Sequence, residues 1–442
     1  MINKKIKLFN FLSNNKGFAA LFVAILVLVI LLFLLTTLIT LAQREYQIAK
    51  KGLDSTQAYY ASEAGVEDAL LRIIKPQMSY PSSYSFPVGE GAAEVSIGGV
   101  STSLTVESIG DRSSARRSIE TNIIVSASDV SFHYGVQVGA GGLTMSGNSQ
   151  ILGNVYSNGP VSASSNAKLY GDVYSAGAAG AISGLRVYKS EAGSEDGNAH
   201  AHSVSNSNIQ NGVYYQNISG TTAGSYYPGS PDPEIKNLPI SENEIVKWKD
   251  DAAAGGTISG YYLGSNDVAS LGPIKVNGDF EINNNAQLTV NGTIWVTGKI
   301  TLASNALLQL NSSYGTNSGV ILSDGKISSS GNVVICGSEG FNVAKRKCNP
   351  GIGSFLMFLS TNNSLNPSSP AIQASSNSKA AIFYAGNGVI SITSNAELKE
   401  VTGYALYLSS NAEITYETGL ADAIFTSGPG GSWQVSSWKE VE

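Results

Sequence analysis

The chain has 442 residues, 14% charged and 42% hydrophobic, with 48 glycines and a formal net charge of −6. So few charges beside so much Gly, Ser, Asn and Thr exclude a helical bundle, and regularly spaced apolar residues exclude a disordered chain. No long basic run offers nucleic acid an electrostatic footprint, and three histidines with two cysteines give little material for a structural metal or cofactor site.

Lys4, Lys5, Lys7 and Lys16 precede FAALFVAILVLVILLFLLTTLITLA at 18–42, which is 25 residues without a charge. About 20 such residues cross a bilayer as a helix. The far flank is mixed, with Arg44, Glu45, Lys50, Lys51 and Asp54. The positive-inside bias therefore predicts a single pass, the N-terminus in the cytoplasm and the rest of the chain outside. A secretory signal peptide would have a shorter apolar core followed by a small-residue cleavage site. Here the small residue, Gly17, comes before the run.

The helical pattern continues to residue 75, where Pro76 and Pro81 stop it. Tyr59, Val66 and Ile73 recur at seven-residue steps, and Ala69 and Leu70 fall between the last two. They predict one apolar face, broken by Ser62. At 1.5 Å per residue the helix 18–75 would reach roughly 85–90 Å, with Gly52 and Gly65 as candidate bends.

Lys16-Gly17-Phe18 at the junction resembles the type III leader of type IV prepilins. Gln57–Glu67 (QAYYASEAGVE) resembles the A-x-x-x-[AS]-E-A-G segment of PilX-type minor pilins, with Ser62 in the small-residue place. The resemblance covers 17–75. It implies a leader over 1–17, cut by a prepilin peptidase after Gly17 to leave Phe18 as the new N-terminus. It also implies a bacterial inner membrane as the first location, its lipids, other pilins and the pilus assembly machinery as partners, and a pilus or the cell surface as the destination. One departure matters. Most pilins carry Glu as the fifth mature residue, where it partners a neighbour's terminal amine, and here that residue is Phe22. A buried ammonium without a partner is costly. The departure argues against a repeating shaft pilin and for a minor or tip pilin. Glu63 reads as an exposed helix carboxylate rather than a catalytic one.

Three alternating runs follow at 92–99, 102–110 and 114–126, separated by Gly98-Gly99 and Gly110-Asp111. They predict an antiparallel meander within a pilin-like segment over 76–130. In pilins the C-terminal half of the long helix packs on such a sheet.

From 131 to 442 the chain is quasi-repetitive. A Ser/Asn-Asn-Ala step followed by an alternating aliphatic run recurs at 164–173, 283–293, 303–310, 393–401 and 409–417. Related forms occur at Gly147-Asn148 and Ser376-Asn377. The asparagines stand 18 apart (148 to 166), 20 apart (285 to 305), 18 apart (377 to 395) and 16 apart (395 to 411). That period suits one coil of a β-solenoid with two or three strands per turn, aliphatic residues stacked inside and Asn at corners that need left-handed geometry. The irregular spacing leaves an immunoglobulin-like or jelly-roll reading open. This body also resembles glycine- and asparagine-rich β-helical regions attached to PilX-like N-termini. The predicted fold class is thus mainly β: a long N-terminal transmembrane helix, a small pilin-like sheet and a parallel β-helix of roughly 12 coils.

An insert is expected at 186–262. It holds a helix start, with Ser241 as N-cap, Glu244 completing a capping box, and Ile240 and Ile245 as hydrophobic staple; the helix ends at Gly255-Gly256. This helix is expected to pack on the solenoid's side or plug its core.

His200 and His202 stand at i, i+2, on one face of a strand, without an evident third metal ligand. Asp232, Asp250 and Asp251 are not a spaced acid–base pair, and no acid cluster of the polysaccharide-lyase kind is present. No enzyme, cofactor or metal is therefore expected. Cys336 and Cys348 bracket a short polar loop containing Lys345-Arg346-Lys347; outside the membrane a disulfide is the natural state. The functional expectation is a minor or tip pilin-like protein displaying a solenoid for adhesion or filament assembly. Two alternatives stand beside it: a membrane-anchored solenoid that binds or cleaves polysaccharide, with surface glycans as partners, and a purely structural surface protein.

Overall fold

A computed structural model describes residues 15–74, 81–100, 103–125, 128–129, 132–190, 196–351, 353–426 and 433–441. Most of the expected leader, and Pro76, lie outside them. The chain divides into two units, one comprising 1–72, 79–123 and 435–442 and the other 73–78 and 124–434. The fold is mainly β, with one long N-terminal apolar helix, an antiparallel sheet, a large parallel solenoid and a second, shorter helix.

The first unit begins with α1 (Asn15–Ile74). The stretch 18–42 is apolar on all sides, and its large side chains are exposed. This helix is long and apolar enough to cross a membrane. The second half instead buries one face against an antiparallel sheet of β1 (Ser83–Val88), β2 (Gly91–Val100), β3 (Ser103–Arg112) and β4 (Ala115–Val125). Strand β1 was not foreseen. The sheet is completed by β5 (Trp433–Val441), which pairs with β4. Contacts descend along β5 as they ascend along β4, from Arg117–Glu440 through Glu120–Lys439 to Asn122–Ser437. Residues 433–441 thus belong to this sheet and not to the repeated body expected over 131–442, because alternation alone fits any strand and the cross-strand partners decide.

The buried helix face is Ala58, Ala61, Ser62, Gly65, Val66, Ala69 and Ile73; the expected Val66, Ala69 and Ile73 lie in it, while Tyr59 and Leu70 are only half-buried. Small residues win because helix and sheet come very close. A Cβ on Gly110 of β3 would lie 1.9 Å from the Ala58 carbonyl oxygen and 2.5 Å from the Ser62 nitrogen. A Cβ on Gly65 would lie 2.1 Å from Ser108 Oγ. Gly65 is thus a site of close approach, not of bending. Ser62 keeps its hydroxyl satisfied inside the helix by donating to the Tyr59 carbonyl at 2.7 Å. At the edge, Arg112 lies 3.8 Å from the buried Asp54 carboxylate.

The second unit is a three-sided β-solenoid, a continuous parallel sheet of 30 strands among the described residues. Its first face stacks 13 strands. At about 4.8 Å per layer this face extends about 58 Å. Alternate residues point inward and form one aliphatic core, with Val136, Val155 and Val173 in register on the first face and Ile300, Ile327 and Ile372 on the second.

The coils do not stack in chain order. Residues 136–145 lie beside 401–408, in register from Val401↔Val136 to Leu408↔Met145. From this seam, coils run one way from 136 to 228. The chain then crosses to the opposite end of the stack, re-enters at 257, and winds back to finish at 415. The solenoid's entrance and exit therefore meet at mid-stack. There Ser128–Asp129 pairs antiparallel with Ile424–Phe425, and Phe132 packs edge-on to Phe425 at 6.0 Å.

The expected insert at 186–262 is shorter than predicted. The described residues of 186–228 remain solenoid strands, and Gly184 takes the place of Asn at one corner, which breaks the Asn repeat there. Only 229–256 leaves the stack. It starts as an extended strap and ends in α2 (Glu242–Ala254), capped by Ser241 as expected. Helix α2 packs on the outside of the first face, burying Ile245 and Trp248 against outward residues such as Val320, Leu322, Met357 and Ile382. It does not plug the core.

Candidate functional site

Three features of the solenoid surface combine chemistry with order. The first is the corner between the second and third faces. There Asn148, Asn166, Asn266, Asn285, Asn305, Asn332, Asn377, Asn395 and Asn411 all have positive φ, between 57° and 68°. A corner turned this way suits Asn, whose short amide tolerates the left-handed region. The amides form one polarised ladder: from Asn285 through to Asn166, each Nδ2 donates to the Oδ1 of the preceding coil at 3.0 to 3.4 Å. It crosses the seam through Asn148 and Asn411. At its open end, where Gly184 interrupts the series, Arg186 donates to Asn166 Oδ1. The repeat spacings of 18, 20, 18 and 16 read from the sequence are ladder steps. The steps of 27 (305 to 332) and 45 (332 to 377) contain loops, which is why no repeat unit covered them.

The second feature is an aromatic stack outside the first face. Tyr156, Tyr174, His200, Tyr214 and Tyr227 stack with centroids 4.1 to 5.6 Å apart, and Tyr134 tilts onto Tyr156 at 5.1 Å. Lys236 closes that end, 4.4 Å above the Tyr156 ring. Burial holds the His200 imidazole below its ordinary pKa, against the opposing pull of Asp172, and pushes the Tyr174 phenol up to about 12. Burial thus favours the neutral form of His200 as a stacking ring. His202 does not share its face. It sits at the next corner, its Nδ1 3.0 Å from Asp232 and its Nε2 3.2 Å from Asn217 Nδ2. The strand rule failed because the strand ends at Ala201. Among the described residues no group of three or more His, Cys, Asp or Glu is placed to hold a metal ion.

Asp232 belongs to the strap, which crosses successive coils. Gln216 donates to the Ser230 carbonyl at 2.6 Å, Gly177 to Pro233 at 2.8 Å, Asn158 to Lys236 at 2.6 Å and Gln137 to Asn237 at 2.9 Å. Beyond the seam, Tyr384 donates to the Ile240 carbonyl at 3.1 Å. The strap ties both half-stacks together. Asp250 and Asp251 lie on α2. Helix α2 is fixed partly by Lys249, whose ammonium is 2.6 Å from Asp324, the carboxylate that also accepts from Trp295 Nε1 at 2.9 Å.

The third feature is a groove of about 570 Å³ on the outside of the third face. One wall is the ladder at Asn285, Asn305, Asn332 and Asn377. The other is a hairpin pairing Phe341–Asn342 with Lys347–Cys348, joined to its base by the Cys336–Cys348 disulfide. Phe341 N–H donates to Gln309 Oε1 at 3.2 Å and seats the hairpin on the face. Phe341, Val343 and Arg346 line the groove on this side, and Gln287, Leu307, Val334 and Lys379, in register on the third face, make its floor. The sequence pointed to the cysteines and the cationic triplet, but not to their placement beside the asparagines.

Of the expected processing residues, Gly17 falls in the first turn of α1, and Phe18 is 75% exposed. Residues 1–14 of the leader lie outside the described residues. Glu63 is half-exposed on the helix.

No protein-family model matches the chain, and no curated protein does. Among solved structures, the competence-associated pilin ComZ from Thermus thermophilus aligns over 88% of this chain and 97% of its own, at 14% identity and a TM-score of 0.25. A TM-score that low bears no weight for function.

Proposed function

We propose that this chain is a membrane-anchored, type IV pilin-like minor or tip protein that displays a β-solenoid for adhesion or filament assembly, without enzymatic activity. The observation that carries the reading is the division of α1. Its first part is bare and apolar, as bilayer or filament packing requires, while its second part lies flat on an antiparallel sheet through small residues. The basic flank before the span and the Gln57–Glu67 segment support the same reading. In it, prepilin peptidase cuts after Gly17, inner-membrane lipids hold the helix before assembly, and other pilins hold it afterwards. Phe22 supplies no carboxylate for a neighbour's amine, which favours a single terminal position over a repeated one.

N-terminal sequencing of the mature protein from cells tests this. The expected first residue is Phe18, with Gly17→Leu blocking the cut. Recovery of an intact Met1 terminus from the wild type sinks the proposal. The rival, a surface protein that never enters a filament, predicts processed protein but no immunogold labelling of purified filaments.

A further inference from the structure

We infer that the groove between the disulfide-closed hairpin and the asparagine ladder is a binding site for a linear acidic polysaccharide, one whose sugar units carry carboxylates or sulfates. This deepens the display reading, since it rests on the solenoid facing a medium that contains such polymers.

The wall of the groove is periodic. The four ladder amides come from four successive coils and span about 14 Å at ~4.8 Å per layer. Each Nδ2 spends one N–H on its neighbour and has a second to offer. A regular row of amides suits a polymer that presents the same hydroxyls at each step. The floor runs in the same direction through Gln287, Leu307, Val334 and Lys379, and its apolar middle at Leu307 and Val334 accepts the C–H face of a sugar ring between two polar ends. The floor consists of side chains, with no sheet edge exposed, so a peptide strand cannot add to it by backbone pairing.

Charge selects the sign of the ligand. Arg346 lines the groove with no ion pair or hydrogen bond from its guanidinium among the described residues, and Lys345 and Lys347 flank it on the hairpin. Of the nearby acids, Glu397 is occupied by Lys379 at 2.7 Å, and Glu339 turns inward to accept from Gly337 N–H at 3.1 Å. An unspent guanidinium over a row of amides favours a carboxylate or sulfate. Arg346 also holds φ at +47°, where a side chain other than Gly is strained. A chain with net charge −6 and no long basic run is a poor match for nucleic acid.

The test uses the full chain in detergent micelles and isothermal titration with hexamers of galacturonate, mannuronate and sulfated heparin disaccharide units, against neutral cellohexaose. At least one acidic hexamer should bind about tenfold or more tightly than cellohexaose. Arg346→Gly, which keeps the backbone conformation, should erase that preference by weakening acidic binding about tenfold. Val343→Asp, at an 80% exposed rim position, should do the same through repulsion with the melting curve unchanged. Equal affinity for the neutral hexamer, no binding of any acidic hexamer, or acidic binding indifferent to both variants overturns the proposal. None of these results touches the N-terminal sequencing outcome, so the groove and the anchor fail separately.

Discussion

In the first unit, α1 meets its sheet through residues with almost no side chain. In the solenoid, each coil meets the next through large aliphatic residues inside and amides at one corner. The first contact depends on closeness, so adding a single carbon disrupts it. The second depends on repetition, so its pieces are interchangeable and any coil can stack on any other. That interchangeability is what allows residues 136–145 to rest on 401–408.

The comparison can be broken at the seam first. If the seam is ordinary core, Leu406→Ala should cost about 3 kcal/mol, the same as Leu288→Ala in a coil stacked in chain order. Chemical denaturation of both variants checks this, and a much smaller loss for Leu406→Ala would mean the half-stacks separate easily. Next comes the first unit. Gly110→Ala should cost about 2 kcal/mol by forcing the helix off β3, visible as faster hydrogen exchange in 58–69 with the solenoid unchanged. At the corner, Asn305→Ala loses both the ladder bonds and an easy left-handed backbone, about 2 kcal/mol, whereas Asn305→Gly loses the bonds alone, about 1 kcal/mol. Thermal melts of the two variants separate backbone from amide contributions.

The smallest effect near pH 5 belongs to Glu400. It is fully buried, and burial raises its pKa well above the ordinary carboxylate range, with the hydrogen bond from Thr402 opposing. Its folded pKa exceeds its unfolded one, so its stabilising contribution is complete below the ordinary glutamate range. That contribution is lost as pH rises toward the raised value, by at most about 1.4 kcal/mol per pH unit. Glu400→Gln should flatten this decline in stability measured from pH 5 to 8. An unchanged slope would show that Glu400 is not its source.

Much of this was legible in the sequence. The unbroken apolar run, the alternating meander and the Ser241 cap are local patterns, and each became the element it predicts. The Asn corners were legible because left-handed geometry restricts residue choice. What escaped was long-range pairing among equivalent strands. Residues 433–441 alternate like every other strand, and only Arg117, Glu120 and Asn122 reveal which sheet takes them. The groove escaped for the same reason: Arg346 and Asn332 become neighbours only after the hairpin folds back.

The mid-stack stem at 128–129 and 424–425 has a mechanical consequence. A solenoid tethered by an end coil can be peeled, each coil exposing the next to the pull. Here both tethers leave from the interior of the rod, so traction on a captured ligand is divided between two chain crossings and neither terminal coil is under tension. Coils can also be added or deleted at the tips at 228 and 257 without moving the tether, so the rod's reach can change while its attachment stays the same.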